Sequence, residues 1–216
     1  LLVHNTSIPF MLAYQNTFIF DTLSSNAKQI LLIVTTLCLI TSEEIILKHQ
    51  INNFEYLILI LSAVLGLLFL VMSYDMLSLY LAIELQSLCL YVLAASKKDS
   101  SFSTEAGLKY FILGSFSSAL LLFGISVLYG ATGTTNFDNF YLLLSGIELN
   151  DFLLTSFVEK GLLAISAAFL FKIAAAPFHM WSPDVYEGSP TSSTIFFAVV
   201  PKLALFTIFL RLFQTI

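Results

Sequence analysis

The sequence predicts an all-α, polytopic membrane protein with about six transmembrane helices, two of them broken. Of its 216 residues, 58% are hydrophobic and only 11% are charged, whereas soluble domains carry about 25% charged residues. Long apolar stretches recur along the chain, and a helix needs about 20 such residues to cross the hydrocarbon core of a bilayer. Prolines interrupt the last two stretches. Composition and patterning therefore place the chain among multi-pass membrane proteins.

Six apolar stretches are predicted to cross the membrane. They follow a mixed polar and apolar N-terminal extramembrane segment, residues 1–26, and together form a membrane domain over residues 27–216. The first crossing is the weakest, because Glu43 and Glu44 interrupt its end, and we assign these two residues no role. The predicted crossings are approximately 27–47, 54–74, 76–95, 106–131, 155–176 and 191–213.

The fourth crossing is rich in small side chains. Such residues let a neighbouring helix approach closely, which is how helices associate in lipid. They are also simply more common in membrane helices, and both interpretations remain open. The residues are Gly114, Ser115, Ser117, Ser118, Ala119, Gly124 and Ser126.

Charges in the connections predict the orientation of the chain. The connection at 132–154 carries Asp138, Glu148 and Asp151 and no Lys or Arg. By the positive-inside rule, this connection and both termini face away from the cytoplasm or matrix. Lys160 and Arg211 are counter-examples at helix ends. The connections predicted to face the cytoplasm or matrix, which include Lys48, His49, Lys97 and Lys98, are 48–53, 96–105 and 178–190.

Three charged residues lie in the middle of apolar stretches, namely Glu84, Lys172 and Lys202. A charge at the centre of a bilayer costs roughly 3 kcal/mol on insertion scales, so such residues are rare and mark ion or proton paths by default. The alternatives are that the lysines snorkel to an interface, or that Glu84 is a neutral structural partner of a neighbouring helix. One acid and two amines make proton transfer the leading hypothesis.

Prolines lie beside both lysines. Pro177 cannot donate a hydrogen bond to the carbonyl of Ile173, and Pro201 leaves the carbonyl of Phe197 without its donor. Interrupted helices at membrane depth require protein or a watery cavity to satisfy the loosened backbone, and transporters place ions there. We therefore predict that Glu84 and Lys172 form a movable pair, because a nearby carboxylate strengthens a lysine's hold on its proton. Lys202 would be the next carrier.

Several other classes of function are excluded. The net charge of −5 and the lack of basic runs argue against binding of nucleic acid. The sequence contains no CxxC pair, phosphate-binding loop or paired-histidine spacing, so we expect no metal and no redox cofactor bound by this chain. Cys38 and Cys89 fall inside apolar stretches and are predicted to be buried small hydrophobic residues.

Three segments resemble a known family. YDMLSLYLAIELQSLCLYVLAA at 74–95, GLKYFILGSFSSALLLFGISVLYG at 107–130 and FLFKIAAAPFHMWSPDVYEGSPT at 169–191, followed by VVPKLALF, are similar to the subunit-2 family of NADH dehydrogenase. That family belongs to the antiporter-like membrane subunits of respiratory complex I. The string PFHMWSPDVYEGSPT is specific to subunit 2 among them.

The resemblance implies proton pumping across the mitochondrial inner membrane, coupled to ubiquinone reduction elsewhere in a complex. NADH, FMN, iron–sulfur clusters and ubiquinone would belong to that parent complex. It implies that Glu84, Lys172 and Lys202 carry protons, and that His179 is a polar link. Implied partners are the other membrane-arm subunits and membrane lipid.

The chain matches only one of the family's two inverted repeats. We therefore expect a split or shortened subunit whose second repeat is a separate polypeptide, and an incomplete sequence of a longer chain is the alternative. Two rival functions remain open. One is a free-standing cation/proton antiporter, and the other is a structural fragment of complex I that conducts no protons.

Overall fold

Helices make up most of the chain. The computed structural model describes residues 10–48, 53–97, 99–146 and 152–215. Within these ranges, a short antiparallel hairpin of β1 (Met11–Ala13) and β2 (Phe18–Phe20) precedes eight helices. The helices are α1 (Thr22–Lys48), α2 (Asn53–Met72), α3 (Met76–Ala94), α4 (Ser101–Thr132), α5 (Phe137–Gly146), α6 (Phe152–Ile173), α7 (Trp181–Gly188) and α8 (Thr191–Thr215). The predicted all-α class is confirmed, whereas the hairpin was not predicted.

Five of these helices are long and apolar enough to cross a membrane, and each coincides with a predicted crossing. The five spans are Thr22–Ile46, Phe54–Met72, Met76–Ala94, Ser101–Thr132 and Thr191–Leu212. The remaining predicted crossing also forms a helix, α6, but it carries Glu159, Lys160 and Lys172. Several helices exceed their predicted bounds. For example, α4 begins at Ser101 rather than at 106. It ends at Thr132, and the next residue, Gly133, has a left-handed φ of 73° that closes the helix.

The predicted break beside Lys172 is present. Helix α6 ends at Ile173, and Ala174 has a left-handed φ of 62°. The amide of Ala175 then donates to the carbonyl of Leu170 at 2.9 Å, which closes the last turn. Residues 181–188, predicted to lie in a connection, instead form helix α7 and pack against α4, burying Trp181 and Val185.

The second predicted break is wrong. Helix α8 continues through Pro201, which is buried in the bundle. Proline removes one intrahelical donor, but packing on both sides of it holds the helix together. Phe197, Val200 and Ala204 on the same helix are all buried. Only one of the two lysines therefore lies beside a break in its helix.

Helix α4 is central to the bundle, because it packs along α6 and also contacts α3 and α7. Its crossing with α6 depends on two glycines. A Cβ atom on Gly124 would lie 2.8 Å from the carbonyl oxygen of Gly161, and one on Gly161 would lie 2.8 Å from Leu128 Cγ. The small residues of the fourth crossing thus allow close approach of a second helix, as predicted.

The end of the bundle that carries the hairpin is linked by hydrogen bonds. The amide of Tyr74 donates to the carbonyl of Thr17 at 2.8 Å, and the Tyr74 hydroxyl donates to the Asp138 carboxylate. The Asn136 side chain donates to the carbonyl of Asn16 at 2.9 Å. Burial and the bond to Asp138 raise the pKa of Tyr74 above its usual range. The hairpin, the α2–α3 connection and the start of α5 are thereby joined.

At the same end, a buried ion pair joins the first helix to the last. Arg211 of α8 is only 3% exposed, and its guanidinium lies 3.1 Å from the carboxylate of Asp21. Asp21 also accepts a hydrogen bond from the amide of Ser24 at 2.8 Å, at the start of α1. Burial alone would raise the pKa of Asp21, but the bonds from Ser24 and the charge of Arg211 lower it below its usual value.

The glycine contact between α4 and α6 is testable. Gly124→Val should push the two helices apart and reduce the amount of folded protein in membranes, because the added atoms would collide with backbone. The control is Gly130→Val, since a Cβ atom on Gly130 has no neighbour within 4 Å. The amount of folded protein is measured by its resistance to protease. Equal resistance of both variants would contradict the packing described.

The ion pair predicts a pH-dependent stability. Asp21→Asn keeps a helix-capping side chain but removes the charge, so the solubilised protein should unfold at a lower temperature at pH 7. Because the pKa of Asp21 is lowered in the folded state, its contribution is present above the ordinary aspartate pKa of about 3.9 and is lost as the pH falls below it. The difference in Tm should therefore shrink towards pH 3. Asp99→Asn, at an exposed site, is the control and should change Tm at neither pH.

Candidate functional site

Two of the predicted charges lie near the middle of their helices, whereas the third lies at the end of its helix. Glu84 is eight residues into the 19-residue helix α3, and Lys202 is 11 residues beyond the start of the 25-residue helix α8. Lys172 is the penultimate residue of α6, but it contacts Ser118, which follows the first residue of α4 by 17 positions. At 1.5 Å per residue, Ser118 lies about 25 Å along the 32-residue helix α4. Lys172 therefore lies beside the middle of α4, and it also contacts Tyr91 near the C-terminal end of α3.

The ammonium group of Lys172 is bound by two hydroxyl groups. Its Nζ donates to Ser118 Oγ at 3.0 Å and, more weakly, to the Tyr91 hydroxyl at 3.4 Å. Ser118 belongs to α4 and Tyr91 to α3, so the break in α6 delivers the lysine into the groove between two other helices. These contacts stabilise the charge of Lys172 inside the protein. A snorkelling lysine would instead extend towards the membrane interface.

Glu84 does not form an ion pair with the Lys172 ammonium. The charge of Glu84 acts on Lys172, yet among the described residues no carboxylate oxygen lies within 4 Å of the Lys172 ammonium. Glu84 Oε1 is buried and has no hydrogen-bond partner in the described part of the chain. An unsatisfied buried carboxylate oxygen is costly and therefore ready to accept a donor. The two groups of the predicted pair are therefore not in contact, and their pairing stays a prediction.

Lys202 occupies a separate site. It is half-buried on α8, and its Nζ lies 5.8 Å from the centre of the Tyr186 ring of α7. An ammonium over an aromatic face is attracted by the ring's quadrupole. Helix α7, formed because α6 is interrupted, thus supplies the partner of the second lysine.

Aromatic rings fill the space between the two lysines. Tyr91 meets Tyr110 edge to face with ring centres 4.8 Å apart, and Tyr110 stacks on Trp181 at 4.9 Å with an interplanar angle of 6°. Trp181 in turn contacts Tyr186 at 6.3 Å. A continuous series of ring contacts therefore runs from the residue bound to Lys172 to the residue beneath Lys202.

The Trp181 side chain also supports the interrupted backbone. Its indole N–H donates to the carbonyl of Phe171 at 3.0 Å, and the two rings lie 5.7 Å apart. Phe171 is in the last turn of α6, where carbonyl groups have lost their helical donors. One residue therefore both satisfies the broken helix and forms part of the aromatic cluster.

His179 lies away from these contacts. It is exposed in the connection between α6 and α7, and its carbonyl accepts a bond from the Ser182 hydroxyl. On the opposite side of α7, Lys109 pairs with Asp184 at 2.8 Å and with Glu105 at 2.9 Å. These charges border an open polar cleft of about 590 Å³ where α4 meets the junction of α7 and α8.

Sequence reasoning missed four residues of this site, namely Tyr91, Tyr110, Trp181 and Tyr186, and it noted Ser118 only as a small residue. One signal was available. Tyr91 follows Glu84 by seven residues, which places both on the same face of a helix. No pattern in the sequence indicated that a serine of the fourth crossing would bind the lysine of the next.

The fold and these buried charges define a class, the helical multi-pass membrane proteins with ionisable groups inside the bundle and an interrupted helix beside one of them. Residues 73–216 match the transmembrane family described as NADH:quinone oxidoreductase/Mrp antiporter. The chain belongs to this family.

Known proteins of similar sequence carry related names. The chain is 49% identical over 199 residues to NADH-ubiquinone oxidoreductase chain 2 of Marchantia polymorpha, covering 92% of this chain and 41% of that protein. It is 44% identical over 199 residues to NADH-quinone oxidoreductase subunit N of Paramagnetospirillum magneticum, with coverage of 92% and 41%. The chain thus spans about two-fifths of the length of these curated relatives.

Solved structures share the fold. A chain of respiratory complex I from Thermus thermophilus superposes with a TM-score of 0.76 at 30% identity, covering 94% of this chain and 42% of that one. A chain of the Mrp complex from Dietzia sp. matches with a TM-score of 0.70 at 24% identity, covering 89% and 35%. This second similarity concerns the fold alone.

The support that Trp181 gives to the broken helix can be tested by hydrogen exchange. Trp181→Phe keeps a ring but removes the donor to Phe171, so the amides of residues 174–180 should exchange about tenfold faster, since a lost buried hydrogen bond costs about 1–3 kcal/mol. Phe169→Leu, a core change elsewhere on α6, is the control and should leave the exchange of this segment unchanged. Unaltered exchange in Trp181→Phe would show that the bond is dispensable.

Proposed function

We propose that this chain is a proton-translocating membrane subunit of NADH:ubiquinone oxidoreductase, and that Glu84, Lys172 and Lys202 carry the protons. The observation that carries the proposal is the Lys172 ammonium, held inside the bundle beside an interrupted helix, together with the buried Oε1 of Glu84, which has no hydrogen-bond partner among the described residues. Membrane family and buried charges point to the same chemistry. The names of the similar proteins support the particular complex.

In the proposed mechanism, Lys172 holds a proton more tightly when Glu84 approaches it and releases it when the two separate. The open arrangement of the pair corresponds to the releasing state. Lys202, on the other side of the aromatic cluster, exchanges protons with Lys172 when the rings move. His179 would assist only at the exposed side of the α6–α7 connection, because it has no described contact with either lysine.

The chain would work as part of an assembly. NADH, FMN, iron–sulfur clusters and ubiquinone would react in other subunits, and the partners of this chain would be other membrane-arm subunits and lipid. A second antiporter-like repeat is needed to complete a path across the membrane.

We further propose that the protein resides in the mitochondrial inner membrane. The sidedness stays as the charges predict, with residues 178–190 towards the matrix, and with the termini and 132–154 towards the intermembrane space. Lys48, His49, Lys98, Glu148 and Asp151 contribute to that prediction, although the side chains of these residues lie outside the described part of the chain. The polar cleft supports placing the connections 96–105 and 178–190 on the same side of the membrane, because Lys97 of the first and Pro190 of the second both line it.

A free-standing cation/proton antiporter is the second candidate, since the matched family includes Mrp antiporters. The two candidate functions are distinguished by solubilising the membranes gently, running a native gel and identifying by mass spectrometry the proteins that migrate with the chain. Co-migration with flavin and iron–sulfur subunits supports the first proposal. Migration away from all redox subunits favours the antiporter.

Substitution of Lys172 tests the role of this chain in proton transfer. In the assembled complex, Lys172→Met should lower NADH-driven proton uptake into inverted membrane vesicles by at least about tenfold, because the substitution removes the ammonium that Ser118 and Tyr91 bind. Lys160→Met is the control, since Lys160 is an exposed lysine of the same helix, 12 positions before Lys172. Normal assembly with undiminished uptake in Lys172→Met would support a purely structural role instead.

A further inference from the structure

The ammonium group of Lys172 is bound by hydroxyl groups, whereas the buried Oε1 of Glu84 has no hydrogen-bond partner in the part of the chain that the structure describes. We propose that Tyr91 and Ser118 are positioning residues that hold Lys172 away from Glu84 and so stabilise the open state of the pair. This inference rests on the proposed function. It states that two uncharged residues, Tyr91 and Ser118, determine whether Lys172 lies close to Glu84. Gly114 makes the arrangement possible.

The Ser118 hydroxyl is oriented to accept from the lysine. Ser118 Oγ donates to the carbonyl of Gly114 at 3.2 Å, within its own helix. With its proton directed to the backbone, the lone pairs of the oxygen are available to the Lys172 ammonium at 3.0 Å. The orientation is therefore set by α4 itself and does not depend on the lysine.

The Tyr91 hydroxyl reaches the same ammonium because α4 has no side chain at position 114. A Cβ atom on Gly114 would overlap the Tyr91 hydroxyl and would lie 2.7 Å from ring atoms Cε1 and Cζ. Tyr91 is also fixed edge to face against Tyr110 at 4.8 Å and Phe111 at 5.7 Å. The ring is thus seated in a notch of α4, with its hydroxyl directed towards the lysine.

Competition with Glu84 follows from the position in which the hydroxyls hold the ammonium. Two of its three N–H groups are engaged by the hydroxyls, and in this position no carboxylate oxygen of the described residues lies within 4 Å of Nζ. The titratable groups that face it are Glu84 and Tyr91, both from α3, and α4 contributes the serine. Moving Lys172 to Glu84 requires these bonds to lengthen or break. A hydrogen bond to a charged group is strong enough to shift such an equilibrium by roughly tenfold or more.

The test uses the assembled complex with Tyr91→Phe and Ser118→Ala, singly and together. Each substitution removes one hydroxyl and keeps the rest of the side-chain volume. The matched controls are Tyr129→Phe and Ser117→Ala, because Tyr129 is an exposed tyrosine of α4 outside the ring cluster and Ser117 also donates to Gly114. Neither control residue has a described contact with Lys172.

In the double variant, a cryo-electron microscopy structure should show Lys172 Nζ within 4 Å of the Glu84 carboxylate, whereas both controls should keep the open arrangement. Proton uptake should fall about three- to tenfold, and the alkaline limb of its pH profile should move to higher pH, because a lysine paired with a carboxylate releases its proton less readily. Gly114→Ala should displace the Tyr91 ring, because the added Cβ would overlap its hydroxyl, and should cause a similar change in uptake.

The outcomes separate this inference from the proposed function. If Lys172→Met abolishes uptake but the double variant behaves as the controls do, the positioning role is wrong and the proposed function stands. If Lys172→Met leaves uptake intact, the proposed function fails, and the position of Lys172 in the double variant still decides whether the hydroxyls hold it. A lysine that remains more than 4 Å from Glu84 in that structure overturns the inference.

Discussion

The structure depends on how an interrupted helix is satisfied at membrane depth. Water cannot hydrogen-bond exposed backbone groups there, so protein must do so. Here the turn at Ala174 closes α6, the Trp181 indole takes the carbonyl of Phe171, and α7 packs against α4. The long helix α4 packs against both α6 and α7 and so supports the two sides of the break. Its glycines admit α6 at one level and Tyr91 at another. A change in this helix would therefore reach the backbone break, the lysine and the aromatic cluster together.

The same break explains why a charge is tolerated in the bundle. A lysine within a continuous helix projects in a direction that the helix dictates, whereas Lys172 lies at the end of α6 and meets hydroxyls from two other helices. Arg211 illustrates the contrasting case. It is nearly inaccessible to solvent but pairs with Asp21 and also contacts the carbonyl of Val71, so its charge is fixed in place. The protein thus contains one charge that is held by an ion pair and another that is held only by neutral groups.

Much of the fold was predictable, because hydropathy and local backbone chemistry act over short distances. Helix positions followed from apolar length, and the break beside Lys172 followed from Pro177. The continuity of α8 through Pro201 was not predictable, since it depends on packing against residues distant in sequence. The same holds for the contact between Lys172 and Ser118, which are 54 positions apart. Arg211 appeared to contradict the charge rule for connections, and its burial against Asp21, 190 positions away, explains why. The roles of Glu84, Lys172, Lys202 and His179 in proton transfer stay predictions.

The stack of Tyr110 on Trp181 has a consequence for energy storage. A membrane that stores energy as a difference in proton concentration must not provide a permanent conducting path. Flat rings in van der Waals contact leave no space between them for a file of water molecules. If Lys172 and Lys202 carry protons as proposed, transfer between them through this cluster would require a ring to rotate or α7 to shift. Because Trp181 is bonded to the last turn of α6, such a shift would also disturb the helix end that carries Lys172. Leakage and transport would in this way be separated by the packing of two side chains.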